Sequence, residues 1–181
     1  MTKLKTNDMV LCGIFAAIIA ILAQISIPLP FTTVPMTMLT FAVGLTGVIL
    51  GCKKGFISIC IYILLGAIGI PVFAGMRGGF SVLAGPTGGF LLGCPFMVLI
   101  IGYISERYFS YFHILISMIL GLTVVYFIGT TMFSIITKST IYQSLLACVI
   151  PFVFVDFLKL ILATSVGVSV SKRINLKLIN N

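Results

Sequence analysis

Charge is what this chain has least of. Only 8% of its 181 residues are charged, and three of those are acidic, whereas a soluble domain carries roughly 25% charged residues. With 60% hydrophobic residues beside that deficit, a soluble fold is excluded and an integral membrane protein is expected. Histidine occurs once, as His113, and a single imidazole without acidic neighbours makes neither a metal site nor a proton relay. The five cysteines, Cys12, Cys52, Cys60, Cys94 and Cys148, are odd in number and never spaced C-x-x-C. That pattern indicates neither a disulfide framework nor a zinc site, and the thiols read as small apolar packing residues. Glycine-rich sequence is present, but no G-K-S/T follows it and no strand precedes it, so nucleotide binding by this chain is not expected. The net charge of +8 lies singly or in twos and threes between apolar runs, without the basic stripe that nucleic acid requires. No polar or low-complexity block is long enough for a second domain, so residues 1–181 read as one transmembrane domain.

What the chain does have is long apolar runs. No residue between Asp8 and Lys53 is charged, and that run is broken by IPLPFTTVP, whose three prolines disfavour continuous helix. Two spans result, about Met9–Ile27 and Met36–Leu50. Four more follow at Gly55–Ile70, Gly88–Ser105, Phe112–Ile136 and about Tyr142–Val170. The expectation is an all-α bundle of six transmembrane helices. With the amino terminus inside, Lys3, Lys5, Lys53, Lys54, Arg107, Lys172, Arg173 and Lys177 gather on the cytoplasmic side, and only Arg77 and Lys138 lie outside. This satisfies the positive-inside rule and favours an even number of spans with both termini cytoplasmic. The first span is long and lacks a small-residue cleavage site, so it is expected to remain as a helix.

Two features break the apolar monotony. In PFVFVDFLKL, Asp156 and Lys159 stand three residues apart, on one face of a helix, where an ionisable group costs about 2.5 to 3.5 kcal/mol to insert. Sixteen residues separate Asp156 from Lys172, or ~24 Å of helix, which places the pair in the outer half of the membrane. Either the pair ties helices together or it meets a ligand. No other span carries an acid that could extend a proton relay, which favours the ligand. The second feature, PVFAGMRGGFSVLAGPTGGF, forms an outer loop between spans three and four with one charge, Arg77, among Gly75, Gly78 and Gly79. Glycines permit left-handed backbone and close approach to a ligand, so this segment reads as a hairpin lid, the alternative being a flexible loop with a stray arginine. Together Arg77, Lys159 and Asp156, with the backbone of Gly78 and Gly79, suit a mono-anionic ligand that also presents N–H donors. Arginine pairs with a carboxylate, aspartate accepts from N–H, and lysine donates to a carbonyl.

The runs IPLPFTTVPMT, LGAIGIPVFAGMRGGFSVLAGPTGGFLLG and PFVFVDFLK resemble the signature segments of the BioY family, the biotin-binding S-components of energy-coupling-factor (ECF) transporters. The resemblance spans about Asp8 to Val170. It implies biotin as the ligand, bound with high affinity from outside, with Asp156 and Lys159 on its ureido ring. It also implies a prokaryotic cell membrane and ATP-driven import with a transmembrane coupling protein and two ABC ATPases. The chain departs from the family pattern at Leu39, where a glutamine is common, at Phe90, where a tyrosine is common, and at Phe154 and Val155, where P-G is common. Each departure removes a polar or flexible element.

In GIFAAIIA of the first span, Gly13 and Ala17 share one ridge and Ala16 and Ala20 an adjacent one, a small-x-x-x-small spacing that lets helices approach closely. Packing inside the bundle is one use of it. The resemblance implies another, with Ala16 and Ala20 docking on the coupling protein. A solitary facilitator without ATPases shares every pocket feature. An intramembrane enzyme is disfavoured by the scarcity of candidate groups.

Overall fold

In a computed structural model of the chain, residues 5–30 and 32–174 are described. Lys3, Lys177 and the Phe31 of IPLPFTTVPMT lie outside them. Seven helices carry the fold: α1 (Thr6–Gln24), α2 (Leu39–Ala67), α3 (Phe80–Leu83), α4 (Gly88–Arg107), α5 (Tyr111–Thr137), α6 (Ile141–Cys148) and α7 (Ile150–Ile174). Between α1 and α2 the proline-rich run forms a short antiparallel ribbon, β1 (Ser26–Ile27) paired with β2 (Met36–Thr37), an extended element absent from the all-α expectation. Proline supplies no amide proton for helix, and the ribbon needs only two residues from each strand. Five helices, α1, α2, α4, α5 and α7, are long and apolar enough to cross a membrane.

α2 contains the expected break between the second and third runs, but without an intervening loop. Gly51 has φ 74° and ψ −170°, a conformation in which a side chain is strained, and the two arms fold back on one another there. A Cβ placed on Gly55 would lie 3.5 Å from the Thr46 carbonyl oxygen. In an uninterrupted helix, nine residues at ~1.5 Å each would hold those positions about 13 Å apart. Glu106, at the end of α4, accepts the Cys52 amide proton at 2.7 Å and so serves an N–H that the break leaves without a helical partner. Gly51→Ala is expected to lower stability by about 2 kcal/mol or more, because a Cβ there is strained and also runs into the Glu106 carboxylate. Glu106→Gln keeps an acceptor and should cost less. Thermal unfolding of both variants in detergent checks the order.

The sixth run is not one helix. Thr140 and Gln143 form a capping box that starts α6, with the Gln143 amide donating to Thr140 Oγ1 at 3.3 Å and the Thr140 amide to Gln143 Oε1 at 3.2 Å. The chain then bends at Val149, and Pro151 sits in the first turn of α7, where a proline is tolerated.

Packing centres on α4, which lies between α2 and α5, while α1 and α7 both flank α2. Ile19, Ile59, Met97, Ile101, Ile114, Met118 and Leu160 are fully buried where these helices meet. Gly89 and Gly93 let α4 approach the backbone of α5 at Gly129 and Val125, the close small-residue contact on which helix association in lipid depends.

Charges sort to the two ends of this bundle. Lys54 pairs with Asp8 at 2.7 Å, which joins the Gly51 turn to the start of α1, and Glu106 joins it to the end of α4. Tyr111 at the start of α5 hydrogen-bonds Ser165 at 3.3 Å, bringing the Lys172 and Arg173 end of α7 to the same side. Arg77 lies in the glycine-rich loop, and Lys138 ends α5 at the end of that helix away from Tyr111.

Candidate ligand-binding site

The glycine-rich segment is an anchored hairpin. Phe73 and Arg77 exchange backbone hydrogen bonds at 2.9 and 3.2 Å, with Gly75 and Met76 turning the chain at positive φ. Gln24, the last residue of α1, donates to the Phe73 carbonyl at 3.0 Å and accepts from the Met76 amide at 2.9 Å. The Gly79 amide donates to the Gly66 carbonyl at 2.7 Å, and Gly78 packs so tightly on the Ile70 carbonyl that no larger residue fits. Gly78 and Gly79 therefore shape the loop, and neither lines the cavity beneath it. Phe73 is buried under the hairpin, edge-on to Tyr62 at 5.6 Å between ring centroids.

That cavity, about 80 Å³, lies among the loop, the ribbon and the facing ends of α2 and α4. Arg77 stands on it with Thr37, Tyr62 and Thr87 as the other polar side chains, and the rest of its wall is apolar, including Leu39, Val82, Phe90 and Leu91. Among the described residues the Arg77 guanidinium has no ion-pair partner. Common small-molecule sites measure roughly 300 Å³ or more, so this cavity has to widen to take a ligand of ordinary size.

Asp156 and Lys159 are only 5% and 7% exposed, and they lie behind the wall rather than on it. Lys159 Nζ donates to Asp156 Oδ1 at 2.8 Å and to the Thr37 carbonyl at 2.7 Å. Asp156 also accepts from Thr40 Oγ1 at 3.2 Å on the same oxygen and from the Tyr126 hydroxyl at 2.6 Å on Oδ2. A carboxylate offers about four acceptor positions and an ammonium three donors. The pair therefore retains one acceptor position and one donor, the two kinds of partner that an amide or urea edge needs. Thr37, whose carbonyl accepts from Lys159, is itself on the cavity wall.

The structure places Arg77 on the cavity and Asp156 and Lys159 off its lining, with Lys159 joined to it through the Thr37 carbonyl. Reading the sequence did not find Thr40, Tyr126 or Tyr62. A hydroxyl within an apolar run was the available signal, and it does not say which hydroxyls face inward. Among the described residues no cluster of His, Cys, Asp or Glu is arranged to hold a metal ion.

The ridge on α1 divides differently from its expected use. Ala16 is 1% exposed and Ala20 is partly buried, and both pack on the core, so Ala16 is not on the surface that a partner would meet. The neighbouring ridge is the outward one. Gly13 and Ala17 are exposed, with nothing within 4 Å of a Cβ placed on Gly13, and Val10, Ile14 and Ile21 flank them.

Known proteins resemble the chain over nearly its whole length. A protein known as biotin transporter BioY in Thermotoga maritima is 37% identical over 92% of this chain and 96% of its own. Biotin transporter BioY2 of Lactococcus lactis subsp. cremoris is 36% identical over 97% and 96%. A crystal structure of the S-component for biotin from an ECF-type ABC transporter superposes with a TM-score of 0.87 at 27% identity, covering 94% of this chain and 95% of that one. The profile of the BioY family matches residues 1–176, and the chain belongs to that family.

Proposed function

We propose that this protein binds biotin with high affinity from the extracellular side and imports it as the substrate-specific subunit of an ATP-driven ECF transporter. The observation that carries the reading is the placement of Arg77, whose guanidinium has no ion-pair partner among the described residues, beside three hydroxyls on a mainly apolar cavity, backed by the Asp156–Lys159 pair. Biotin matches that arrangement. Its carboxylate suits Arg77, its bicyclic ring and aliphatic chain suit the apolar wall, and its ureido edge suits the open acceptor and donor of the pair. Leu39 and Phe90, two of the four departures from the family pattern, are both on the wall. They make the site more apolar and leave polar discrimination to Arg77 and the pair.

In this reading each arm of α2 counts as a span, giving six crossings with both termini in the cytoplasm of a prokaryote. Lys5, Lys53, Lys54, Arg107, Lys172 and Arg173 then lie on the cytoplasmic side, as the positive-inside rule asks. The anchored hairpin acts as an outer lid that opens for the ligand. ATP is hydrolysed by two partner ATPases, and the exposed Gly13 and Ala17 face of α1, adjoining Ala16 and Ala20, docks on the transmembrane coupling protein.

Titration of the purified protein in detergent with biotin and with biotin amide tests the site. Wild type should bind the acid more tightly than the amide, and Arg77→Ala should nearly equalise the two. A folded sample that binds neither sinks the reading. Equal losses for acid and amide in Arg77→Ala would assign the arginine to loop shape alone.

A further inference from the structure

Two buried hydroxyls among the described residues have no hydrogen-bond partner, those of Thr130 and Tyr62. Of the two, Tyr62 lines the cavity, and it is 1% exposed. A buried hydroxyl left unpaired is costly, and each one in a native structure calls for an explanation. The ring itself is fixed from the loop side by its edge-on contact with Phe73, whose backbone pairs with that of Arg77. Tyr62 and Arg77 are therefore held by the same short hairpin.

The chemistry of the lining says what the hydroxyl is for. The polar side chains on the cavity are Thr37, Tyr62, Arg77 and Thr87, each of which has an N–H or O–H able to donate, and no carboxylate lies among them. The carboxylate of this region, Asp156, has its oxygens engaged behind the wall by Lys159, Thr40 and Tyr126. A donor-rich, acid-free cavity suits the acceptor-rich end of a ligand.

Building on the biotin-binding reading, we infer that Tyr62 is a second donor to the ligand's carboxylate, acting beside Arg77 and fixing that end of the molecule. Arg77 is exposed and supplies charge, whereas Tyr62 is buried and supplies direction. The hydroxyl is left unpaired in the ligand-free protein and paired in the complex, so its contribution belongs to binding rather than to folding.

The test compares wild type with Tyr62→Phe, a change that removes one oxygen and keeps the ring on Phe73. Calorimetric titration with biotin and with its decarboxylated analogue, whose side chain ends in a methyl group, is paired with the melting temperature of each ligand-free protein. The expected result is an approximately tenfold loss of affinity for biotin, little change for the analogue, and a melting temperature unchanged or raised. Equal affinity of Tyr62→Phe and wild type for biotin would overturn the inference, since the hydroxyl would then be served by water. Equal losses for biotin and the analogue, or a lowered melting temperature, would overturn it as well and make the hydroxyl structural. If folded wild type binds neither compound, the biotin reading itself falls, and this inference falls with it.

Discussion

Asp156→Asn is expected to weaken biotin binding about tenfold or more and also to lower the melting temperature of the ligand-free protein. Both effects follow from the position of the carboxylate. It receives three donors from three helices, with Thr40 on α2, Tyr126 on α5 and Lys159 on its own α7. Neutralising it leaves the Lys159 ammonium buried with only the Thr37 carbonyl, and removing one partner of a buried ion pair costs about 3–5 kcal/mol. On the ligand side, part of the acceptor edge becomes a donor, leaving an unpaired group at about 1–3 kcal/mol. A second substitution separates the two roles. Asp156→Asn with Lys159→Met removes both charges, so it should recover much of the lost thermal stability without recovering affinity. Calorimetry and thermal unfolding on the same preparations check it. Should the double variant bind biotin as wild type does, the pair is a structural tie and the ureido contact lies elsewhere.

Gly13→Trp combined with Ala17→Trp should abolish biotin uptake in cells that supply the coupling module, while purified protein keeps its affinity within a few fold. These two positions face outward on α1 and are not on the cavity lining, and a large side chain there holds any neighbouring helix away and forfeits the contact that drives association in lipid. Ala16→Trp provides the contrast. Ala16 is buried against the core, so an indole there overpacks it and should reduce folded yield and binding together. Uptake that survives the outward pair would exclude that face of α1 as the docking surface. Uptake of equal strength without any coupling module would favour a solitary facilitator.

The apolar runs were legible because a membrane imposes length and composition on each crossing, and the break between the second and third runs falls where the charge-free interval ends, at Lys53. Its form was not legible. A pair of lysines suggests a loop, whereas a single glycine at positive φ, followed by a Cys52 amide that is capped by a glutamate 54 residues downstream, makes a turn with no loop residues. The sixth run concealed a bend whose signals, the Thr140 and Gln143 box and Pro151, were in the sequence but were masked by its continuous hydropathy. The chemistry of Asp156 and Lys159 was legible as an anomaly of charge. Their partners were not, since Thr40 lies 116 residues from Asp156 and nothing local marks it. Ala16 shows the limit of spacing arguments. Two small-residue ridges one position apart look equivalent in sequence, and only the packing of α1 on α2 decides which one is buried.

The balance of charge around the cavity has an electrical consequence. Asp156 and Lys159 cancel, and a bound carboxylate would cancel Arg77, so the loaded site sums to zero. Any displacement of that site along the membrane normal then does no work against the transmembrane voltage, which otherwise involves about 2.3 kcal/mol per elementary charge per 100 mV. Empty, the same site retains the single positive charge of Arg77. In the proposed reading, a polarised membrane therefore acts on the ligand-free form and not on the loaded form, so that voltage would bias the return of the empty carrier without altering the step that carries cargo.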